Sequence, residues 1–280
     1  MALSAAPRTV SGPLATSGHE LASILGGALI VDGTKPIRGC AVDSRIATAG
    51  QMFLALPGEK THGLHHASEA LRAGATAIVL EGGDVSAEIR QVLAEVELAV
   101  RAAGASLISV ESGRVALSRA ATEWRNRFTI EVIGVTGSVG KTTTKQLIAA
   151  ALGGESAGCA ATPGNANNEI GLPMSLLNLR DGTVRYVAEM GMYVEGDIRA
   201  LCTLARPRIG VVTAIDAVHA ERAGDLDAIE RGKGELVEAL PPDGWAILAA
   251  DDLRVARLAT RTPARSATAG HAATADVRIV

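Results

Sequence analysis

Lys141, Thr142, Glu189, His219 and Lys233 are the residues of this sequence whose types and placement suit chemistry on a phosphate. Two of them stand in the run Gly134-Val135-Thr136-Gly137-Ser138-Val139-Gly140-Lys141-Thr142-Thr143-Thr144, between the apolar Glu131–Val135 and the segment Lys145–Leu152. Strand, glycine-rich turn, helix is the order that a phosphate-binding loop needs. Glycines let backbone amides curl around phosphate oxygens, and a helix N-terminus adds positive potential. Gly137, Ser138, Val139, Gly140, Lys141, Thr142 and Thr143 are therefore the expected nucleotide contacts. Lys141 would reach the β- and γ-phosphates and the Thr142 hydroxyl would hold Mg²⁺. Val135 occupies the first glycine position of the plain G-x-x-x-x-G-K-[ST] spacing, and glycines stand at 134, 137 and 140 instead. A glycine-rich turn without a ligand is the alternative.

In open parallel sheets, ligands gather at the carboxyl ends of the strands. Glu189 trails the predicted strand Val184–Ala188, and His219 lies shortly beyond the predicted strand Ile209–Thr213. Taken alone, such a carboxylate is as often a loop or helix-capping residue as a metal ligand, and such a histidine is an ordinary polar loop residue. Sharing an edge with the phosphate loop favours a role for both. Lys233 sits in the predicted helix Leu226–Leu240, where Leu226, Ile229, Leu236, Val237 and Leu240 form one stripe. It falls inside that stripe. One reading is a lysine whose stem follows apolar surface to water. The other is a functional lysine, since burial favours the neutral amine and a neutral amine reacts with carbon dioxide to give an anionic carbamate able to hold Mg²⁺.

Thr162-Pro163-Gly164-Asn165-Ala166-Asn167-Asn168-Glu169-Ile170-Gly171-Leu172-Pro173 reads as a polar, irregular loop before a helix. Its three asparagines offer paired donors and acceptors, more than a plain turn uses, so the loop is expected to touch ligand. His62, His65 and His66 lie close together, but no cysteine or acid stands at ligand spacing, which favours a solvated loop over a metal site.

The elements that must position these residues alternate. Helices are expected at His19–Leu25, Ala67–Ala73, Ile89–Ala103 (an added surface helix) and Val115–Arg127, the last with Val115, Leu117, Ala121 and Trp124 inward. Strands are expected at Arg38–Asp43, Met52–Leu56, Ala75–Leu80 and Leu107–Val110, then at Val184–Ala188, Ile209–Thr213, Trp245–Leu248 and Val277–Val280. That alternation implies an α/β fold with a mainly parallel sheet and right-handed crossovers. Residues 1–18 read as a disordered leader with breakers at Pro7 and Pro13, and a domain boundary is expected near residue 128.

Composition narrows the class. A net charge of -3 with scattered Lys and Arg argues against a nucleic-acid or membrane-surface protein. Three widely spaced cysteines fit a reducing cytoplasm better than a disulfide scaffold, and no apolar run is long enough to span a bilayer. Oligomeric state is not legible.

Thr136–Thr144 with Thr162–Pro173, Glu189-Met190-Gly191, His219 and Arg231–Glu235 resemble the Mur ligases of peptidoglycan synthesis. Asp43-Ser44-Arg45, Met52–Gly58 and Ala70–Leu80 resemble the N-terminal domain of the branch that joins D-Ala-D-Ala to UDP-N-acetylmuramoyl-tripeptide. The resemblance covers residues 20–80 and 112–280. It implies an N-terminal α/β uridine-binding domain at 19–128 and a P-loop central ATP-binding domain at 129–280. It also implies an ATP-dependent ligation through an acyl phosphate. Thr142 and Glu189 match the ligands of a first Mg²⁺, and His219 and a carbamylated Lys233 match those near a second. Ser44 and Arg45 match positions near uridine. Thr162, Asn165, Asn167 and Asn168 match the loop facing the muramoyl-peptide.

The sequence departs from the family pattern at Ala249, Ala214 and His62-Gly63-Leu64, which stand where asparagines and an Asp-Gly-His pattern are frequent. The chain also ends at Val280 on a central-domain strand, without the family's C-terminal domain, so the expectation is weak ATP binding and no ligation by this chain alone. Two alternatives stay open: another ligase of the superfamily, such as one that adds glutamates to folate, and a non-catalytic nucleotide- or UDP-sugar-binding protein. The Asp-Ser-Arg segment and the Asn-Asn-Glu-Ile-Gly-Leu-Pro loop favour the cell-wall branch over the first. The presence of Lys141, Glu189, His219 and Lys233 together argues against the second.

Overall fold

The structure, a computed structural model, describes residues 14–15, 17–58, 62–82, 87–217 and 225–279. It divides into two compact units. One holds the described residues up to Arg127 together with Leu176–Arg180; the other holds Phe128–Ser175 and the described residues from Asp181 onward.

In the first unit, strands β1 (Ala28–Val31), β2 (Gly39–Ala41), β3 (Gln51–Ala55), β4 (Ala77–Glu81) and β5 (Ser106–Val110) form a sheet in the order β1-β5-β4-β3-β2. All neighbours are parallel except β1, which runs antiparallel to β5. The near-continuous apolar runs of β3 and β4 suit strands buried on both faces. Phe53, Ile78 and Leu80 pack with Ala67 and Ala70 of α2 (Ala67–Arg72) and with Val96 and Val100 of α3 (Ala87–Ala103). Helices α1 (Gly18–Leu25) and α4 (Gly113–Arg125) pack on each other.

Helix α3 lays its expected stripe on this sheet: Val96 and Val100 are in the core, Ile89, Val92 and Leu93 pack against it, and Leu98 on the other side is 70% exposed. Several expectations are corrected here. Val115 is 50% exposed, while Ala116, Leu117, Ala120, Ala121 and Trp124 face inward. The buried stripe of α4 therefore lies one position further along than its first apolar residue suggests. The leader placed at 1–18 falls mostly outside the described residues, but its end is ordered structure. Leu14 and Ala15 are buried, Ala15 pairs with Ile37, and Ser17 caps α1. Strand β1 is unanticipated.

The second unit is a seven-stranded sheet of β6 (Glu131–Thr136), β7 (Cys159–Ala161), β8 (Arg185–Glu189), β9 (Ile209–Val212), β10 (Trp245–Ala249), β11 (Arg265–Gly270) and β12 (Val277–Arg278). Its order is β12-β11-β10-β9-β6-β8-β7, and every neighbouring pair is parallel. The chain fills one side of β6 with β7 and β8, then crosses to the other side for β9 to β12. The switch point, where the connections after β6 and β9 diverge, is thus beside β6. Helix α5 (Lys141–Ala151) sets Ile148 and Ala149 against Ile133, Val135 and Val187. Helix α8 (Leu226–Glu238) lays Leu236 over Gly134 and Gly210, where a side chain would collide with it or crowd it. Among the described residues the remaining α-helices are α6 (Gly171–Leu176), α7 (Asp197–Ala205) and α9 (Leu253–Arg257). Strands β7 and β11 were not expected. β11 reads Arg-Ser-Ala-Thr-Ala-Gly, with little β-propensity, and is held by five parallel register pairs with β10. Among the described residues no helix is long and apolar enough to cross a membrane.

Candidate active site

The phosphate loop leaves the carboxyl end of β6, at the switch point of the second unit, where ligands collect in such sheets. Gly137 and Gly140 carry φ of 149° and 83°, values that a side chain would strain, and a Cβ on Gly137 would collide with Thr213 Oγ1. The loop is clamped from the end of β9. Ser138 N donates to Ala214 O (2.8 Å), Ser138 Oγ to Asp216 O (2.8 Å), and Thr213 Oγ1 to Val139 O (2.6 Å). Lys141 Nζ donates to Gly137 O at 2.7 Å, so the ammonium lies over the loop. Burial lowers the Lys141 pKa, against the opposing pull of Glu189.

Glu189 is the last residue of β8, in register with Val135 of β6, and only 1% exposed. Its Oε1 accepts from Thr142 Oγ1 (3.2 Å) and Asn167 Nδ2 (2.9 Å). Its backbone amide donates to Thr162 Oγ1 at 3.0 Å. Oε2 is buried, and its close partner is the Lys145 ammonium, 2.9 Å away as an ion pair. Burial alone would raise the Glu189 pKa, but Lys145, Asn167 and Thr142 together hold it below the usual carboxylate value. The carboxylate is therefore charged at neutral pH and set beside a hydroxyl. An all-oxygen pair of this kind suits a hard cation such as Mg²⁺, which binds through one or two protein oxygens plus substrate phosphates. Among the described residues there is no group of three or more His, Cys, Asp or Glu that could hold a metal alone.

A cavity of about 170 Å³ opens next to the loop, lined among others by Lys141, Asn167, Asn168, Glu169, Tyr193 and Lys233. Lys233 is 6% exposed, and burial together with the nearby Lys141 charge lowers its pKa to about 8. The apolar stripe of α8 thus delivers a lysine into the cavity instead of to water. Two residues on from Lys233, buried Glu235 accepts from Gly196 N (2.8 Å) and Arg199 N (2.9 Å), which fixes the start of α7 along the same cavity.

The structure brings Gly137, Ser138, Lys141, Asn167 and Lys233 together at the cavity, with Thr142, Glu189 and Thr162 directly behind. Asn168 lines the cavity but also caps α6, its Oδ1 accepting from Gly171 N at 2.8 Å. Asn165 is exposed and does not line the cavity. His219 lies outside the described residues. Ser44 and Arg45 belong to the other unit. Ser44 is buried and donates to Glu69 Oε2 at 2.6 Å, and Arg45 pairs with Asp43 at 2.6 Å. His62 Nδ1 accepts from Leu64 N at 3.1 Å, a turn-capping role. Sequence reasoning missed Lys145. Its position one helical turn after Lys141 was the available signal, since residues four apart share a helix face.

The family model described as Mur ligase middle domain matches residues 135–279, and that described as Mur ligase family, catalytic domain matches residues 36–125. A UDP-N-acetylmuramoyl-tripeptide–D-alanyl-D-alanine ligase of Synechocystis sp. is 38% identical over 229 residues, covering 80% of this chain and 46% of that protein. The enzyme of the same name from Mycobacterium tuberculosis is 37% identical over 249 residues, covering 84% and 47%. Among solved structures, MurF from Acinetobacter baumannii superposes with a TM-score of 0.77 at 26% identity, covering 92% of this chain and 54% of that one. MurF from Thermotoga maritima in complex with ADP gives 0.69 at 31% identity, covering 84% and 50%. The chain spans about half the length of the curated relatives it matches. With both family models in place and the phosphate loop, Glu189 and Lys233 converging on one switch point, this chain belongs to the Mur ligase family.

Proposed function

We propose that this chain contributes the nucleotide- and UDP-substrate-handling units of an ATP-dependent amide ligase. That ligase joins D-Ala-D-Ala to UDP-N-acetylmuramoyl-tripeptide in the cytoplasm, in peptidoglycan precursor synthesis. The observation that carries the reading is the meeting of Thr142 and Glu189 beneath the phosphate loop, with Lys141 and Lys233 on one cavity. The names of the relatives and the ADP held by the Thermotoga maritima structure support it.

In this reading the residues around Phe128 divide a UDP-substrate unit, 19–128, from an ATP unit, 129–280. Ser44 and Arg45 contact the uridine end. Thr162, Asn165, Asn167 and Asn168 form the loop that meets the muramoyl-peptide. The terminal carboxylate of the tripeptide attacks the γ-phosphorus of ATP. The bond to the bridging oxygen breaks, ADP leaves, and an acyl phosphate remains. The amine of D-Ala-D-Ala then attacks the acyl carbon, loses a proton and displaces inorganic phosphate.

Joining a carboxylate to a triphosphate brings anions together, so the first demand on the protein is positive charge. Lys141 supplies it from the loop, alongside the backbone amides at the start of α5. Thr142 and Glu189 would hold one Mg²⁺, and His219 with a carbamylated Lys233 a second. Bound there, the cations would supply charge neutralisation at the phosphates. The depressed pKa of Lys233 leaves a larger neutral fraction than an ordinary lysine has, which is what carbamate formation requires.

Isothermal titration of UDP-N-acetylmuramoyl-tripeptide, with ATP analogue and Mg²⁺ present, tests the substrate assignment. Saturable binding that is weakened by Arg45→Ala is expected. A chain that binds the ATP analogue but not the UDP-linked peptide would overturn it.

A further inference from the structure

Lys145 is nearly sealed from water, its side chain 3% exposed, and the carboxylate it faces, Glu189, is 2% exposed. Its ammonium stands 2.9 Å from Glu189 Oε2 and donates to Gly164 O at 2.6 Å. It therefore ties three elements together: α5 behind the phosphate loop, the loop that begins at Thr162, and the end of β8. The other carboxylate oxygen, Oε1, faces Thr142 and Asn167. A buried ion pair of this kind adds little net stability over an apolar pair of equal volume. Its geometry points instead to a task at the carboxylate.

We propose that Lys145 is a positioning residue that splits the two oxygens of Glu189, neutralising Oε2 and holding the 162–168 loop against it, so that only Oε1 faces a nucleotide-borne divalent cation. The inference rests on the reading that Thr142 and Glu189 hold such a cation. The sign of the effect follows from Coulomb's law. A fixed positive charge on the same carboxylate opposes a second cation, so the lysine moderates divalent affinity and favours release with the spent nucleotide. A lysine that merely stabilised the fold would leave divalent affinity untouched once the variant is folded.

The test is titration of Mn²⁺ into the ADP-saturated chain at neutral pH, followed by electron paramagnetic resonance of free Mn²⁺. Wild type is compared with Lys145→Met, Lys145→Arg and Glu189→Gln. Glu189→Gln is expected to weaken Mn²⁺ binding; if it does not, the cation reading itself fails. With that control met, Lys145→Met is expected to bind Mn²⁺ at least about fivefold more tightly, and Lys145→Arg to stay within about twofold of wild type. Unchanged or weaker Mn²⁺ binding by folded Lys145→Met overturns the proposal. Should Lys145→Met fail to fold, Lys145→Gln, which keeps a donor for Gly164 O and loses the charge, carries the same expectation and the same refutation.

Discussion

Thr142 Oγ1 lies 3.2 Å from Glu189 Oε1 although 47 residues separate them in the chain. The parallel register of β6 and β8 sets Val135 opposite Glu189, and the loop then returns Thr142 on the first turn of α5. A hydroxyl and a charged carboxylate are thereby held at the carboxyl end of the sheet by backbone pairing.

Removing the Glu189 charge should be costly even without nucleotide. Glu189→Gln leaves the Lys145 ammonium buried with Gly164 O as its remaining close partner. Breaking a buried pair in this one-sided way costs about 3 kcal/mol. Urea unfolding should show that loss, and a loss under about 1 kcal/mol would mean that the pair is solvated.

The loop's tolerance of side chains should differ at its two positive-φ glycines. Gly137→Ala drives a Cβ into Thr213 Oγ1, whereas Gly140→Ala meets Thr213 only at 3.7 Å and suffers backbone strain alone. Gly140→Ala should cost about 1–2 kcal/mol and Gly137→Ala clearly more. Thr213→Ala should recover part of the Gly137→Ala loss in a double-mutant cycle, and strict additivity would show that the collision is not the cause.

Glu235 gives a contrast between a buried carboxylate and its exposed partner. The Arg199 side chain is 64% exposed, so its 3.0 Å pairing with Glu235 is worth little on its own. The two amides that Glu235 accepts, from Gly196 and Arg199, are the larger loss. Glu235→Ala should destabilise the chain by about 2–4 kcal/mol and Arg199→Ala by under about 1 kcal/mol. Thermal or denaturant unfolding of the two variants decides it, and equal losses would contradict the assignment.

Lys233 should make stability rise with pH. Its pKa falls from 10.5 to about 8 on folding, so between those values the unfolded chain binds more protons than the folded one. Below the folded pKa the native state carries the full penalty of a buried charge, and the penalty fades as pH climbs through the window. In bicarbonate-free buffer, Lys233→Met should be more stable than wild type by up to about 3 kcal/mol near pH 7, shrinking to about 1 kcal/mol near pH 10. A constant difference across that range would place the amine in water.

The parts of the fold that the sequence discloses are those where local pattern and tertiary packing agree. The glycine spacing and Gly140-Lys141-Thr142 disclose a strand, turn and helix, and the stripe of α8 discloses that Lys233 stands among apolar neighbours, though whether its amine reaches water is decided only by the structure. Strand β11 is not legible because its polar, small residues become a strand only by pairing with β10. Strand β1 is short, and half of its residues are exposed, so no alternation stands out. Lys145 is hidden for a related reason. A lysine after three threonines reads as solvated until the 162–168 loop folds over it, and that contact is encoded in no single segment. Asn168 has two positions to fill at once: it lines the cavity, and its Oδ1 caps the next helix, a use that composition alone does not separate from ligand contact.

Calorimetric titration of ATP into the chain, with and without Mg²⁺, compared with Lys141→Ala, measures whether the loop at Gly137–Thr143 binds a metal-borne triphosphate. Mg²⁺-dependent binding is expected, falling at least about tenfold in Lys141→Ala while the fold is kept. Binding that ignores both Mg²⁺ and Lys141, or no binding at all, would contradict it.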